Sequence, residues 1–464
     1  MNSRDKHLLV VICLALAFIF FRLHNIQNPF STNGIDEGIH LLQARMVSAG
    51  YNLYTDLNGD QGPLAILTFA LWQGEVLTSR LLSFLLFGAA TAASAYLAWR
   101  VKNRQAGACT LLILALDFTL LRESRVASLD LFSGALLALA AVLLVWYLER
   151  GDWRLLLPGG VLVSLACLAK MLAAPVALAL LLWLIYRGVK NGELPATVAY
   201  VTGALLPLAV VLALFSPQSL LEGLVLRQTH RAYDWGAKAS ALLFIGPGFV
   251  YLAAVRRWNY RDAKVMLLLL WLLPLLALIL LQGRTFQHHF AYTAFPAAIL
   301  AGMALSTWSH GRRRAVLASF VAVNAALGPA LILTAPTDPA YEAAAEIEEV
   351  TPPGSLVISG NPLVNVLADR LAPPNLTNLA YYHYPPATAS NVTYWLEKGE
   401  VAAVVLYWKL ADMDRVEEYL NASQNYTLHV QIEERGQILM EGLRPGFSTD
   451  RYTVYLRRSP EPGP

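Results

Sequence analysis

Long apolar runs set the rhythm of the chain. Runs near residues 8–23, 80–99, 105–121, 131–148, 155–169, 171–186, 196–215, 240–255, 265–281, 290–306 and 315–333 read as helices able to cross roughly 30 Å of hydrocarbon, several with help from flanking residues. A further run, Leu64–Trp72, is too short to cross and is bounded by Gly62-Pro63 and Gln73-Gly74-Glu75. It is expected to lie in, or dip into, the membrane interface. From about Pro336 the pattern changes. Short runs at Ser355–Ser359, Ala402–Tyr407, Tyr426–Ile432 and Tyr452–Leu456 read as strands, with helical stretches at Tyr341–Val350, Pro362–Arg370 and Asp412–Leu420. The pattern predicts a polytopic α-helical membrane protein of about eleven transmembrane helices, residues 1–334, followed by a small α/β soluble domain, residues 335–464.

Charge orients this arrangement. With eleven spans the inside loops are Arg100–Arg104, Glu149–Arg154, Arg187–Glu193, Arg256–Lys264 and His310–Arg314, nearly all basic, as the positive-inside rule requires. Counting Leu64–Trp72 as a span would invert every later loop. The N-terminus is therefore expected inside and the C-terminal domain outside. Four N-glycosylation sequons, beginning at Asn375, Asn391, Asn421 and Asn425, all fall in the C-terminal domain, and acceptor asparagines must face outside. The first apolar run follows Arg4 and Lys6 but precedes no small-x-small cleavage site, so it reads as an uncleaved first helix. The expected location is the cell membrane, with the loop 24–79 and the C-terminal domain extracytoplasmic.

Composition agrees and excludes other classes. The chain of 464 residues is 56% hydrophobic and 14% charged, where soluble proteins average about 25% charged. A net charge of +3, carried by dispersed basic residues, excludes nucleic-acid binding, which needs a concentrated positive surface. Cys13, Cys109 and Cys167 sit inside apolar runs and read as small buried hydrophobes, not as a disulfide framework or zinc cluster.

The candidate chemistry lies in the first outside loop, 24–79, which a simple helix bundle has no packing reason to contain. Thr32 or Asn33 can cap a short amphipathic helix with Ile39, Leu42 and Met46 as its apolar stripe and Gly50 at its end. Asp36 and His40 then share a face. Asp36 and Glu37 either simply favour the positive helix N-terminus or supply a general base at the membrane surface. Arg80, Arg125, Lys170, Arg227, Arg231 and Arg284, with His288 and His289, all fall at expected outer helix ends or loops, against the charge rule. Singly, each can snorkel to lipid head groups. Together, on the same side as Asp36, Glu37 and Asp130, they fit a phosphate site beside carboxylates, entered laterally by a lipid phosphate.

These residues also resemble a family. Asp36-Glu37-Gly38, Ala44-Arg45, Gly50, Tyr54-Thr55-Asp56 and Gly62-Pro63-Leu64 look like the first-loop pattern of GT-C glycosyltransferases related to dolichyl-phosphate-mannose protein mannosyltransferases and aminoarabinose transferases. Ser79-Arg80-Leu81, Arg125 with Asp130, Leu168-Ala169-Lys170, and His288-His289-Phe290 with Pro296 extend the resemblance to about residues 1–310. Two departures stand out. Gln61-Gly62 precedes Pro63 where the family often has Lys or another Pro, and no MIR-type repeat follows, which separates the chain from the eukaryotic protein mannosyltransferases.

The resemblance implies a GT-C-like fold and transfer of a monosaccharide from a polyprenyl (dolichyl) phosphate donor to a hydroxyl on protein, glycan or lipid, with inversion. It casts Asp36 as general base and Glu37 as its catalytic partner, orienting the acceptor or binding a cation. Arg80, Arg125, Lys170, Arg284, His288 and His289 are the expected donor-phosphate contacts; His40 and Asp130 complete the substrate pocket. No cofactor is required, and a divalent cation held by Glu37, His40, His288 and His289 is left open. The alternatives are a polytopic transporter or lipid flippase, disfavoured because the charges sit at helix ends and no internal repeat is evident, and an oligosaccharyltransferase, disfavoured by the lack of a Trp-Trp-Asp-type motif in the C-terminal domain.

The topology is directly testable. Single cysteines placed at Asn58 and Asn391 should react with a membrane-impermeant thiol reagent in intact cells. Reaction at either site only after the membrane is opened would rule out the eleven-span arrangement.

Overall fold

The structure, a computed structural model, describes residues 18–27, 35–57, 59–226, 235–236, 238–239, 246–283, 285–334, 338–379, 389–407, 410, 412–433 and 451–458. The chain divides into two compact units. The first comprises Met1–Ile26, Arg80–Leu214 and Ala232–Leu333, the second Gln27–Ser79, Phe215–Arg231 and Thr334–Pro464.

In the first unit the apolar runs are helices. Val76–Val101, Leu129–Arg150, Met171–Asn191, Leu194–Leu214 and Ala263–Leu281 are long and apolar enough to cross a membrane. Arg104–Leu116, Leu156–Ala169, Ala291–Leu305 and His310–Thr334 are helical where further spans were expected. The chain is an integral membrane protein. Of the run 8–23 the described part, residues 18–23, is helical, and Gly246–Ala254 forms tighter helical turns within the run 240–255.

Local chemistry sets the helix boundaries. The Asn103 side chain accepts the Ala106 N–H at 2.9 Å and opens Arg104–Leu116. Ser128 opens Leu129–Arg150 in the same way through the Leu131 N–H. Gly151 ends that helix at φ 71°, a left-handed conformation that costs glycine nothing. The run 105–121, expected as one helix, is broken at Asp117. The non-helical backbone there (φ −56°, ψ 125°) ends Arg104–Leu116, while its carboxylate accepts the Leu120 N–H at 2.7 Å and starts Phe118–Glu123.

Helices in lipid gain little from apolar attraction and depend on close backbone approach. Leu156–Ala169 and Leu194–Leu214 meet at two glycines. A Cβ on Gly160 would lie 2.1 Å from the Tyr200 carbonyl oxygen, and one on Gly203 would lie 2.0 Å from that of Leu157. Gly302 likewise lets Ala291–Leu305 press against Thr110 and Ala106. Around these crossings the core is filled by large buried side chains, among them Trp271, Tyr292, Phe295 and Phe320.

The second unit contains a four-stranded sheet in the order β1-β2-β4-β3, with β1 Leu356–Ser359, β2 Val401–Leu406, β3 Tyr426–Glu433 and β4 Arg451–Arg457. β1 and β2 are parallel; β4 runs antiparallel to both β2 and β3. Ile358, Val404, Leu406 and Tyr455 pack with Val392, Leu396, Val416 and Leu420 from helices Ala389–Glu397 and Met413–Ala422. All four strands fall where the alternation of the sequence predicts them. Helix Ala389–Glu397 was not expected, because Ser390, Asn391 and Thr393 obscure its short apolar stripe of Val392, Trp395 and Leu396. Residues 27–79 fold with this unit, not with the membrane helices that flank them in sequence. Within them Pro63–Ala70 is a helix of eight residues, too short to cross, that starts with Pro63 in its first turn.

Candidate active site

The acid pair occupies the first turn of helix Ile35–Ser48, where exposed N–H groups favour negative charge. Ile39, Leu42 and Met46 are buried as expected, but so are Ile35, Glu37, Gly38, His40, Leu41, Gln43 and Ala44. The helix is therefore enclosed on nearly all sides, whereas the sequence pattern suggested one lying on a single apolar face. Asp36 keeps intermediate exposure, while Glu37 is only 3% exposed. The expected caps Thr32 and Asn33 lie outside the described residues.

Close packing fixes this helix from the C-terminal part of the chain. A Cβ on Gly38 would lie 2.3 Å from the Leu363 backbone nitrogen, so helix Pro362–Leu367 crosses directly over the Asp36-Glu37-Gly38 motif. About two turns on, Arg45 Nη1 donates to Asp369 Oδ1 at 2.5 Å, and its Nε donates to the Gln73 carbonyl at 3.3 Å. Burial pulls the Arg45 guanidinium below its usual range, and Asp369 partly restores it. The pair is worth about 0–1 kcal/mol, because the Asp369 side chain is 82% exposed. Gly74, at φ 68°, meets the Leu41 carbonyl with no room for a side chain. Tyr54 Oη donates to the Gln61 carbonyl at 2.7 Å, and the Asp56 carbonyl accepts the Asn375 N–H at 3.0 Å. Gly38, Arg45, Tyr54 and Asp56, all part of the family-like pattern, thus have packing roles within this unit.

The first unit holds Arg80, Arg125, Asp130, Lys170, His288 and His289. Arg125, 1% exposed, lies in the short loop before Leu129–Arg150. Its Nη1 donates to the carbonyls of Phe21, Arg22 and His24, each at 2.9 Å, and its Nη2 to that of Asn25 at 3.1 Å. Arg80 Nη1 adds a bond to the Ile26 carbonyl at 2.8 Å. Two guanidinium groups therefore cap the C-terminal end of the first helix, whose last carbonyls have no partners within the helix. Burial, with the nearby charge of Arg80, pushes Arg125 down to about 10, so it remains charged at neutral pH. Lys170 behaves differently. It sits in extended backbone between two helical segments and donates to Asp130 Oδ2 at 2.6 Å, a buried pair with no net charge.

His288 and His289 lie in a short 3-10 turn, Gln287–Phe290. His288 stacks on Phe286 at 5.5 Å, and the two imidazoles are nearly perpendicular at 4.5 Å. His289 Nδ1 lies 2.7 Å from the Gln282 amide nitrogen. Accepting that bond assigns the proton of the neutral ring to Nε2, which becomes a hydrogen-bond donor. Arg227, Arg231 and Arg284 lie outside the described residues.

Three buried polar groups of this unit were not singled out from the sequence. Tyr251 Oη donates to Asp117 Oδ2 at 2.7 Å; Ser128 Oγ donates to Glu123 Oε2 at 2.5 Å; Arg22 lies 4.3 Å over the rings of both Phe18 and Phe87. The available signal was a charge inside an apolar run, which marks functional or pairing positions by default. Among the described residues no three His, Cys, Asp or Glu side chains are grouped to hold a metal ion. Of the expected cation ligands, Glu37 and His40 belong to the second unit and His288 and His289 to the first.

Comparison with known proteins adds to this geometry. Residues 63–219 match the family model for dolichyl-phosphate-mannose-protein mannosyltransferase. That stretch includes Arg80, Arg125, Asp130 and Lys170, but neither the acid pair nor His288. No curated protein sequence matches significantly. Among solved structures, ArnT from Cupriavidus metallidurans bound to undecaprenyl phosphate is 12% identical with a TM-score of 0.66, covering 100% of both chains. Its apo form is 14% identical with a TM-score of 0.62, covering 98% of each. The chain shares the fold of ArnT. The apo oligosaccharyltransferase of Archaeoglobus fulgidus shares that fold more distantly, at 15% identity and a TM-score of 0.55 over 92% of this chain and 73% of that one.

The acid helix depends on the absence of a side chain at Gly38. Gly38→Ala should force the Ile35–Ser48 and Pro362–Leu367 backbones apart and destabilise the protein by about 1–3 kcal/mol. The measurement is thermal unfolding in detergent. An unchanged midpoint would show that the close crossing carries no such weight.

Proposed function

We propose that the protein transfers a monosaccharide from a polyprenyl-phosphate carrier to a hydroxyl on a protein, glycan or lipid acceptor at the outer face of the cell membrane. The observation that carries this reading is the fold shared along the full chain with ArnT, a protein solved with undecaprenyl phosphate bound. The mannosyltransferase family match over residues 63–219 supports it. In the proposed topology the chain crosses the membrane about eleven times. Residues 1–334 form the catalytic part, and residues 335–464 are an extracytoplasmic accessory domain.

In the proposed mechanism Asp36, the more exposed member of the acid pair, accepts the proton of the acceptor hydroxyl. The acceptor oxygen bonds to the anomeric carbon as the bond from that carbon to the phosphate oxygen breaks. The electron pair leaves with the phosphate, and the configuration inverts. No strong general acid is needed, because polyprenyl phosphate departs as a stable anion that fixed cations can hold. Arg80 and Arg125, whose guanidinium groups lie near one another, are proposed for that role. Arg284, Lys170, His288 and His289 are the further proposed phosphate contacts, with Lys170 already matched by Asp130. Glu37 orients the acceptor, and His40 and Asp130 line the substrate pocket.

A whole-glycan transfer like that of the Archaeoglobus oligosaccharyltransferase is the weaker reading. The match is lower in TM-score and covers less of that protein.

Asp36→Asn tests the mechanism. The amide keeps the size of the carboxylate and caps a helix about as well, but cannot take the proton. Donor affinity should persist while single-turnover transfer falls by about 10²–10⁴. Transfer at the wild-type rate would remove Asp36 from the reaction and leave it a helix-stabilising acid.

A further inference from the structure

The acid helix carries another polar side chain, Gln43, that no step above uses. Gln43 is fully buried, and among the described residues neither Oε1 nor Nε2 has a hydrogen-bond partner. A carboxamide taken out of water with nothing in exchange destabilises a fold, and native proteins keep few such groups. An apolar side chain of similar volume would avoid the penalty. Leu41, Leu42 and Met46 on the same helix show that such residues pack there.

The position of Gln43 gives the amide a direction. Asp36, His40 and Gln43 stand at i, i+4 and i+7 and form one stripe along the helix. A helical side chain leans over the turn that precedes it, so Gln43 leans toward His40 and His40 toward Asp36. Exposure falls along this stripe, from intermediate at Asp36 to 9% at His40 and 0% at Gln43. Along the helix the three residues make a polar lane in which the proposed base is the most exposed and the carboxamide the most buried.

We infer that Gln43 is a substrate-binding residue at the inner end of this lane, where its carboxamide hydrogen-bonds a carbohydrate-type hydroxyl of the acceptor or of the transferred sugar. A hydroxyl both donates and accepts, which complements a group offering one carbonyl oxygen and two N–H donors. Gln43 is closed over, so a ligand reaches it by moving the side chains that cover it. The inference rests on the glycosyl-transfer reading and extends it to a residue outside the acid pair and the cations.

The test uses the full-length chain purified in detergent, with Gln43→Leu and Gln43→Met as two apolar replacements of similar volume. Thermal unfolding is measured alongside transfer kinetics, with a polyprenyl-phosphate monosaccharide and the acceptor varied separately. Both variants should unfold at the wild-type temperature or above it, yet lose roughly 10-fold to 100-fold in kcat/KM, because a site that binds a hydroxyl loses that discrimination when its partner is removed. A rise in KM for the acceptor alone assigns the contact to the acceptor; a rise for the donor alone assigns it to the transferred sugar. Wild-type kcat/KM in both variants would make Gln43 a passive buried amide and overturn the proposal. So would a lower unfolding temperature in both, which would show that the amide holds the fold. If the wild-type chain itself transfers no sugar, the functional reading fails and this inference falls with it.

Discussion

A charge enclosed by protein and hydrocarbon must be met by a partner, because stripping its water costs more than packing returns. The membrane unit meets that constraint in two ways. Lys170 meets the carboxylate of Asp130, and the pair is neutral. Arg80 and Arg125 donate to the carbonyls of Phe21, Arg22, His24, Asn25 and Ile26, neutral groups that satisfy hydrogen bonds. The contacts that finish the first helix therefore also hold two guanidinium charges near one another. In the proposed reaction this pair would be in place before the lipid phosphate arrives, the kind of preorganisation such a transfer would use.

The acid helix meets a different demand. A general base works when it is held within a fraction of an ångström of its target by rigid neighbours. Here the rigidity comes from backbone contact at Gly38, the Arg45–Asp369 pair and the turn at Gly74, all within the second unit. The C-terminal segment has no phosphate loop or nucleophile of its own, yet it supplies Leu363 and Asp369 to the helix that carries Asp36. Its contribution to function, on this view, is mechanical support.

Much of this was legible in the sequence, and the exceptions have identifiable causes. Most of the long apolar helices between residues 76 and 334, the short Pro63–Ala70 element and all four strands follow from apolar run length and alternation, which are local properties. The break at Asp117 was hidden inside a run whose mean hydropathy stays high, because one carboxylate capping the next helix hardly alters an average. The enclosure of the acid helix was also invisible, since it depends on residues 362–369, more than three hundred positions away in sequence. For the site, the residue types were legible but their partners were not. Arg125 read as a phosphate contact because it falls at an expected outer helix end against the charge rule, and its bonds to backbone carbonyls have no sequence signature. Gln43 drew no notice because a lone glutamine on a helix becomes conspicuous only once it is known to be buried and unpaired.

The chemistry at the anomeric carbon is the most direct discriminator. The purified chain would be given a polyprenyl-phosphate monosaccharide of known anomeric configuration, the glycosylated product analysed by NMR and the released lipid by mass spectrometry. Expected are a product of inverted configuration and free polyprenyl monophosphate in equal amount. A retained configuration, release of a diphosphate, or a donor lipid that crosses the membrane with its sugar still attached would contradict single-step transfer from a lipid phosphate.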